Sequence, residues 1–303
     1  MDIYLPIAGM AVNALFMIAL GGLVGILSGM FGVGGGFLTT PLLIFYGIPP
    51  TVAVASATTQ ITGASVSGVF AHMRRGGVDM RMGLVMIAGG LVGSLAGAGI
   101  FRLLQASGQI DTVIGLLYVL LLFSIGVLML RDAALALGWI PTPETPAKKA
   151  RHNRWVASLP MRWRFYSSGL YISPLAPLAL GFVAGILTVL LGIGGGFILV
   201  PAMIYILGMA ARVVVGTSLV MILAVSAVSI LIHAMTTQSV DIVLAALLLV
   251  GGVIGAQYGA LLATRLKPDL LRLALAVIIL LVALRMALGL VWRPDEIFSI
   301  EYM

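Results

Sequence analysis

The chain has 303 residues, of which 17 are Lys or Arg and 10 are Asp or Glu. Hydrophobic residues make up 61% and charged residues 9%, against about 25% charged in a soluble domain. So little charge cannot cover a water-exposed surface, and so much hydrophobicity excludes intrinsic disorder, which leaves an integral membrane protein with its charges gathered between spans.

The chain opens Met1-Asp2-Ile3-Tyr4 without a basic run, so a retained first span is expected in place of a cleaved signal. Apolar stretches of membrane-crossing length, about 20 residues, fall in two groups. The first comprises 8–30, 51–71, 82–103 and 109–130, and the second 175–193, 211–233, 242–264 and 270–291. Between them, residues 131–174 carry Arg131, Lys148, Lys149, Arg151, Arg154, Arg162 and Arg164 against Asp132 and Glu144, with a proline-rich run from Pro141 to Pro146. The pattern predicts an all-α integral membrane protein of about eight transmembrane helices. It consists of a first transmembrane repeat over 1–130, a basic cytoplasmic linker over 131–174, and a second repeat over 175–303 with a short polar tail. The net charge of +7 is then loop charge that orients the protein in the bilayer, with no nucleic acid partner implied.

The two groups match one another. Gly21, Gly25, Gly32, Gly34, Gly35, Gly36, Phe37 and Pro41 recur 160 positions later as Gly181, Gly185, Gly192, Gly194, Gly195, Gly196, Phe197 and Pro201. Further along, His72 meets His233, Val78-Asp79 meets Val240-Asp241, and the glycines from Gly89 to Gly97 meet those from Gly251 to Gly259. Repeated halves are a transporter signature, and they place a substrate at the repeat interface.

Each half also holds a short apolar piece after its glycine run, Phe37 to Ile48 and Phe197 to Leu207. Twelve helical residues rise about 18 Å, too little to cross a core of about 30 Å. Each piece is a half-helix that enters and turns back, or the second part of a broken helix. If the pieces do not cross, the halves are parallel four-helix repeats. The N-terminus, the linker, the Arg74–Arg81 loop and the C-terminus then share the more basic, cytoplasmic side. If they do cross, the halves are inverted.

Consecutive glycines let backbone N–H groups converge on one point, and the half-helix that follows aims its N-terminal dipole there, which suits an anion. Gly34, Gly35, Gly36 and Phe37, with Gly194, Gly195, Gly196 and Phe197, are therefore substrate-binding candidates. The bland alternative is close helix packing, which fits Gly21, Gly25 and Gly29 and the Gly89–Gly97 series better. Thr58, Thr59 and Gln60, answered by Thr217 and Ser218, form a polar stripe that adds candidate hydrogen bonds, although hydroxyls also bond back to their own helix. His72 and His233 suit an interfacial structural role. Asp111 and Arg285 lie near span ends. There are no cysteines, the three histidines are scattered, and no nucleophile–base or paired-carboxylate constellation appears, so no metal, cofactor or enzymatic activity is expected.

The doubled segment, Gly21 through Gly32-Val33-Gly34-Gly35-Gly36 to Pro41 and again Gly181 to Pro201, resembles the sulfite exporter TauE/SafE family over nearly the whole chain outside 131–174 and the tail. The resemblance implies a permease of the bacterial cytoplasmic (inner) membrane. Its substrate would be a small sulfur-containing anion such as sulfite or an organosulfonate, its direction export, and its access alternation a rocking of one half against the other. It is compatible with a homo-oligomer. The expected partners are thus the anion and the lipid bilayer, with both termini cytoplasmic. The competing expectation is a membrane assembly or scaffold subunit without a transport path.

Overall fold

The computed structural model describes residues 2–31, 35–74, 76–139, 159–263 and 268–291. Gly32, Val33 and Gly34, most of the proline-rich linker and the polar tail lie outside the described residues. The first half runs β1 (Asp2–Leu5), β2 (Met10–Asn13), α1 (Ala14–Phe31), α2 (Gly36–Phe45), α3 (Pro50–Arg74), α4 (Met80–Ala106) and α5 (Ile110–Ala136). The second runs β3 (Trp163–Phe165), β4 (Leu170–Ile172), α6 (Leu175–Leu191), α7 (Gly196–Tyr205), α8 (Ala211–Ile232), α9 (Ile242–Ala263) and α10 (Pro268–Val291), with a π-helical turn at His233–Thr237 after α8.

The structure is predominantly helical, and among the described residues five stretches are long and apolar enough to cross a membrane on their own. These are Met80–Ala106, Ile110–Ala136, Val213–Thr237, Ile242–Gly259 and Arg272–Val291. Helices α1, α2, α6 and α7 are apolar but shorter. This is consistent with the expected all-α membrane protein, to which two short antiparallel hairpins, β1–β2 and β3–β4, add a feature before α1 and α6. Each turns at a glycine in the left-handed region, Gly9 at φ 68° and Gly169 at φ 67°. Their strands are apolar and only three or four residues long. The first therefore merges into the hydropathy of the adjoining span, and the second hides in the basic linker. The linker boundary also moves, since α5 continues through Ala136 and the hairpin at 163–172 belongs to the packed structure.

Two buried aspartates fasten these hairpins. Asp79 begins α4, and its Oδ1 accepts the Met82 N–H at 3.1 Å in an N-cap. Its Oδ2 accepts the N–H and hydroxyl of Ser168 in the β3–β4 turn, at 3.0 and 2.8 Å. Asp241 does the same before α9, accepting Val243 and Leu244 N–H through Oδ1 and the Ile7 N–H of the β1–β2 turn through Oδ2. The hairpins therefore sit at the starts of α4 and α9.

Glycine seams hold the helices together. A Cβ on Gly25 would lie 2.9 Å from the Gly252 Cα, and one on Gly185 would lie 2.9 Å from the Gly90 carbonyl carbon. Gly21, Gly25 and Gly29 face Leu248, Gly252 and Ala256 in ascending order, so α1 and α9 run parallel in backbone contact. Gly89, Gly93 and Gly97 face Leu178, Phe182 and Ile186 in the same sense, so α4 and α6 are parallel too. Gly115 meets Leu290 and Gly126 meets Leu280, making α5 and α10 antiparallel. In the middle, Gly68 meets Leu219 while Thr62 bonds Ser226 at 2.8 Å, making α3 and α8 antiparallel.

These directions fix the topology. Asp79 N–H donates to Thr217 Oγ1 at 2.9 Å, placing the starts of α4 and α8 together. That face, the linker face, also holds the end of α3, the end of α5, hairpin β3–β4 and the start of α6. The opposite, N-terminal face holds hairpin β1–β2 and the starts of α1 and α9. Each helix of the first half thus runs opposite to its counterpart in the second. The expectation that the N-terminus, the linker and the Arg74–Arg81 loop share one side fails for a specific reason. Helix α1 descends about 27 Å from the N-terminal face, but the chain turns at the glycines and α2 climbs back toward the same face. Helices α3, α4 and α5 then run between the two faces, and of these α4 and α5 are long and apolar enough to cross a membrane.

The seams predict position-specific sensitivity. Gly93→Ala places its Cβ 2.8 Å from the Phe182 carbonyl carbon, whereas nothing lies within 4 Å of a Cβ at Gly99. Thermal unfolding in detergent should show Gly93→Ala destabilised by several degrees and Gly99→Ala unchanged.

Candidate functional site

The two half-helices begin in the interior and diverge. Helix α2 ends near the N-terminal face, where Phe45 lies under the Arg285 guanidinium at 5.4 Å. Helix α7 ends near the linker face, where the Tyr205 hydroxyl donates to Asp132 at 2.5 Å. At their starts the Phe37 and Phe197 rings stack, 4.3 Å between centroids and 1° from parallel. Both rings are buried. The paired phenylalanines that follow the glycine runs in the sequence are thus brought into direct contact.

The glycine turns around this stack are tightly packed. A Cβ on Gly36 would lie 2.5 Å from the Gly192 carbonyl oxygen, and one on Gly192 would lie 2.5 Å from that of Val54. Gly192, Gly194 and Gly195 adopt φ of 66°, 72° and 76°, the left-handed region where a side chain is strained. Gly35 is right-handed at φ −68°. The Ile61 side chain abuts both Gly36 and Gly194, and Ile222 closes on Gly194 from α8. Gly196 opens α7 and is buried. Gly34 lies outside the described residues.

A chain break at this depth exposes backbone groups of both signs, and the structure treats the two signs differently. On the carbonyl side, Leu191 O accepts the Tyr118 hydroxyl and Thr40 Oγ1, the latter at 3.4 Å. His233 Nε2 sits 3.0 Å from Val189 O, with its ring edge-on to Phe101. On the amide side, no hydrogen bond joins the N–H groups of Gly194, Gly195, Gly196 or Phe197 to any described residue, and the same holds for Gly35, Gly36 and Phe37. At the end of α6 the carbonyls are capped, while the first amides of α2 and α7 have no partner among the described residues, a polarity that suits an anion.

The polar stripe divides. Gln60 is buried and clamps three elements, its Oε1 accepting Thr39 Oγ1 at 2.8 Å and its Nε2 donating to Gly21 O at 3.4 Å. Its amide is engaged within the protein, which is a structural role. Thr58 donates to Val54 O and Ser218 to Val215 O in their own helices. Thr217 donates to Val213 O and accepts from Asp79 N–H at the linker face, away from the glycine turns, whereas the Val54 carbonyl that takes the Thr58 hydroxyl lies against Gly192. Thr59 donates to Ala55 O and lines a cavity of about 550 Å³ with Ile230, Gln238 and Leu249. In contrast, the hydroxyls of Ser56, Ser65 and Ser229 are buried and bond no other described group. Ser65 lies one turn beyond Ile61 and Ser229 two turns beyond Ile222, on the helix faces that meet the glycine turns. In the sequence they belong to the same polar stripe as Thr58, Thr59, Thr217 and Ser218, and only their lack of partners sets them apart. None of these residues is charged.

A polytopic helical membrane protein with two interrupted helices meeting at an uncharged interior point is the architecture of a solute transporter. The comparisons with known proteins agree. Residues 17–286 match the profile of the family described as "Sulfite exporter TauE/SafE", and the chain belongs to that family. It is 31% identical over 276 residues to the probable membrane transporter protein YjnA of Bacillus subtilis, covering 89% of this chain and 98% of that protein. It is 30% identical over 275 residues to a probable membrane transporter protein of Xylella fastidiosa, covering 90% and 93%. No solved structure gives a significant match. The protein is a membrane transporter and not an enzyme.

The clamp role of Gln60 has a direct check. Gln60→Met installs the residue found at the corresponding place in the second half, Met221, and removes both amide bonds. Loss of a buried hydrogen-bonding group costs about 1–3 kcal/mol, so the unfolding temperature should fall while solute flux per folded molecule is retained.

Proposed function

We propose that this chain is a permease for a small sulfur-containing anion, sulfite or an organosulfonate, working as an exporter of the bacterial inner membrane. The observation that carries this reading is the pair of buried half-helix starts whose first amides have no partner among the described residues, with capped carbonyls at the end of α6. The anion is held between the halves by N–H groups of Gly35, Gly36 and Phe37 and of Gly194, Gly195, Gly196 and Phe197, with the Ser65 hydroxyl, unpartnered among the described residues and one turn beyond Ile61, adding to the shell. Backbone donors and hydroxyls match sulfur oxyanion oxygens without a cation, which lets the anion leave again.

The moving parts differ from the two sequence halves. Helix α1 is locked to α9 and α6 to α4 by backbone contact, so each rigid unit combines elements of both halves. Alternating access in this reading is a shift of the α1–α9 unit against the α4–α6 unit around α3 and α8, with the Phe37–Phe197 stack opening between them.

Charge supplies the orientation. Arg74, Arg81, Arg131, Arg162, Arg164, Arg212 and Arg272 belong to the linker face, against Arg102 and Arg285 toward the other. The positive-inside rule makes the linker face cytoplasmic. Hairpin β1–β2 and the end of α10 then lie outside the cytoplasm, in place of the cytoplasmic termini expected from counting spans.

Two experiments test this. The chain has no cysteine, so single cysteines report cleanly. Tyr4→Cys should react with an impermeant maleimide on intact cells, and Met161→Cys only after permeabilisation; the reverse pattern overturns the orientation. In proteoliposomes, wild-type protein should release loaded radiolabelled sulfite or sulfoacetate. The Ser65→Ala variant should lower that flux severalfold with its unfolding temperature unchanged or raised, because no protein bond is lost. Flux equal to wild type removes this hydroxyl from the site, and no oxyanion flux by the wild type ends the permease reading.

A further inference from the structure

The linker face carries a second polar feature, separate from the interior site. Hairpin β3–β4 and the first turns of α4 enclose a cavity of about 590 Å³ lined by Arg81, Arg162 and Arg164 with Trp163, Tyr166 and Tyr171. The Arg81 guanidinium lies 5.2 Å from the centre of the Tyr166 ring. Leu84 and Val85, one turn further along α4, form the apolar floor, and Leu84 is exposed. Among the described residues no acidic side chain lines the cavity. Asp79 is nearby but buried, with both carboxylate oxygens held by Met82 and Ser168.

The chain contains its own control. Hairpin β1–β2 occupies the corresponding place at the start of α9 and is fastened by the same aspartate clasp, Asp241 to Ile7. Residues 2–13 hold no Lys, Arg or Trp. The clasp is therefore what the fold requires, and the three arginines with their aromatic neighbours answer to something present at the linker face alone.

We infer that this cavity binds the phosphate headgroup of an acidic phospholipid in the adjoining leaflet. Guanidinium groups pair with phosphate oxygens through two parallel hydrogen bonds, where a zwitterionic headgroup presents a competing cation. Trp163, Tyr166 and Tyr171 are exposed, 52%, 70% and 57%, as aromatic side chains are at the headgroup level. Leu84 and Val85 continue the surface toward the acyl chains. The docked lipid would brace hairpin β3–β4 against α4, next to the clasp that holds the start of α8. The inference rests on the membrane embedding and does not depend on which anion is transported.

Native mass spectrometry of the full-length protein in detergent, titrated with phosphatidylglycerol or phosphatidylcholine of identical acyl chains, tests it. The wild type should bind phosphatidylglycerol about a hundredfold tighter. Arg81→Gln/Arg162→Gln/Arg164→Gln should abolish the preference, each arginine contributing about fivefold. The matching triple Lys variant should keep most of it. Circular dichroism confirms folding, and if the triple Gln variant is unfolded, Arg164→Gln alone should lose about fivefold. Equal binding of the two lipids by the wild type, or a preference that survives the Gln substitutions, overturns the inference. Displacement of the lipid by millimolar inorganic phosphate also overturns it, by making the cavity a site for free anions.

Discussion

Inside a bilayer the backbone has no water to bond, so every N–H and C=O must find a partner within the protein or face a wet cavity. This chain interrupts a helix at depth between α6 and α7, and again between α1 and α2. Everything at its centre follows from how those interruptions are accommodated. Side chains from three other elements reach the carbonyls at the end of α6: Thr40, Tyr118 and His233. Nothing described reaches the amides at the start of α7. The break therefore has its carbonyl side covered by side chains, while its buried amides meet no partner among the described residues.

Holding such a break in place requires neighbours that do not yield. The glycine seams provide them, because α1 against α9 and α4 against α6 meet backbone to backbone with no room for a Cβ. Without a hydrophobic driving force between helices in lipid, close van der Waals contact of this kind is the main source of association. The seams also cross the boundary between the sequence halves. What looks in the primary structure like two consecutive modules is in space one interlocked body whose natural planes of motion run between seams.

Scarcity of charge, visible in composition, acquires a location. The interior holds donors and hydroxyls without cations, and nearly all described arginines gather on one face. One distribution suits release of a small anion, and the other suits a negatively charged leaflet. The two hairpins show how little the fold constrains this. They share an aspartate clasp, yet one is bare of basic residues and the other carries three arginines around an aromatic cavity.

The sequence by itself determined the membrane class, the duplicated glycine motif, the family, and the packing role of the Gly21–Gly29 and Gly89–Gly97 series, because each depends on residue type and spacing alone. It also pointed to the glycine runs as the place where the chain turns inside the membrane. It did not separate Gln60, Thr58, Thr217 and Ser218, whose polar atoms are engaged within the protein, from Ser56, Ser65 and Ser229, whose atoms are not. Partnership is a property of neighbours distant in the chain. Nor did it reveal the hairpins, whose short apolar strands share the hydropathy of helices. The directions of α1 and α2 were equally hidden, because hydropathy measures how long an apolar segment is and not whether it emerges on the far side. Only the tertiary structure decided that, through parallel glycine contacts between helices more than two hundred residues apart. In doing so it set the two halves head to tail and the N-terminal hairpin opposite the linker.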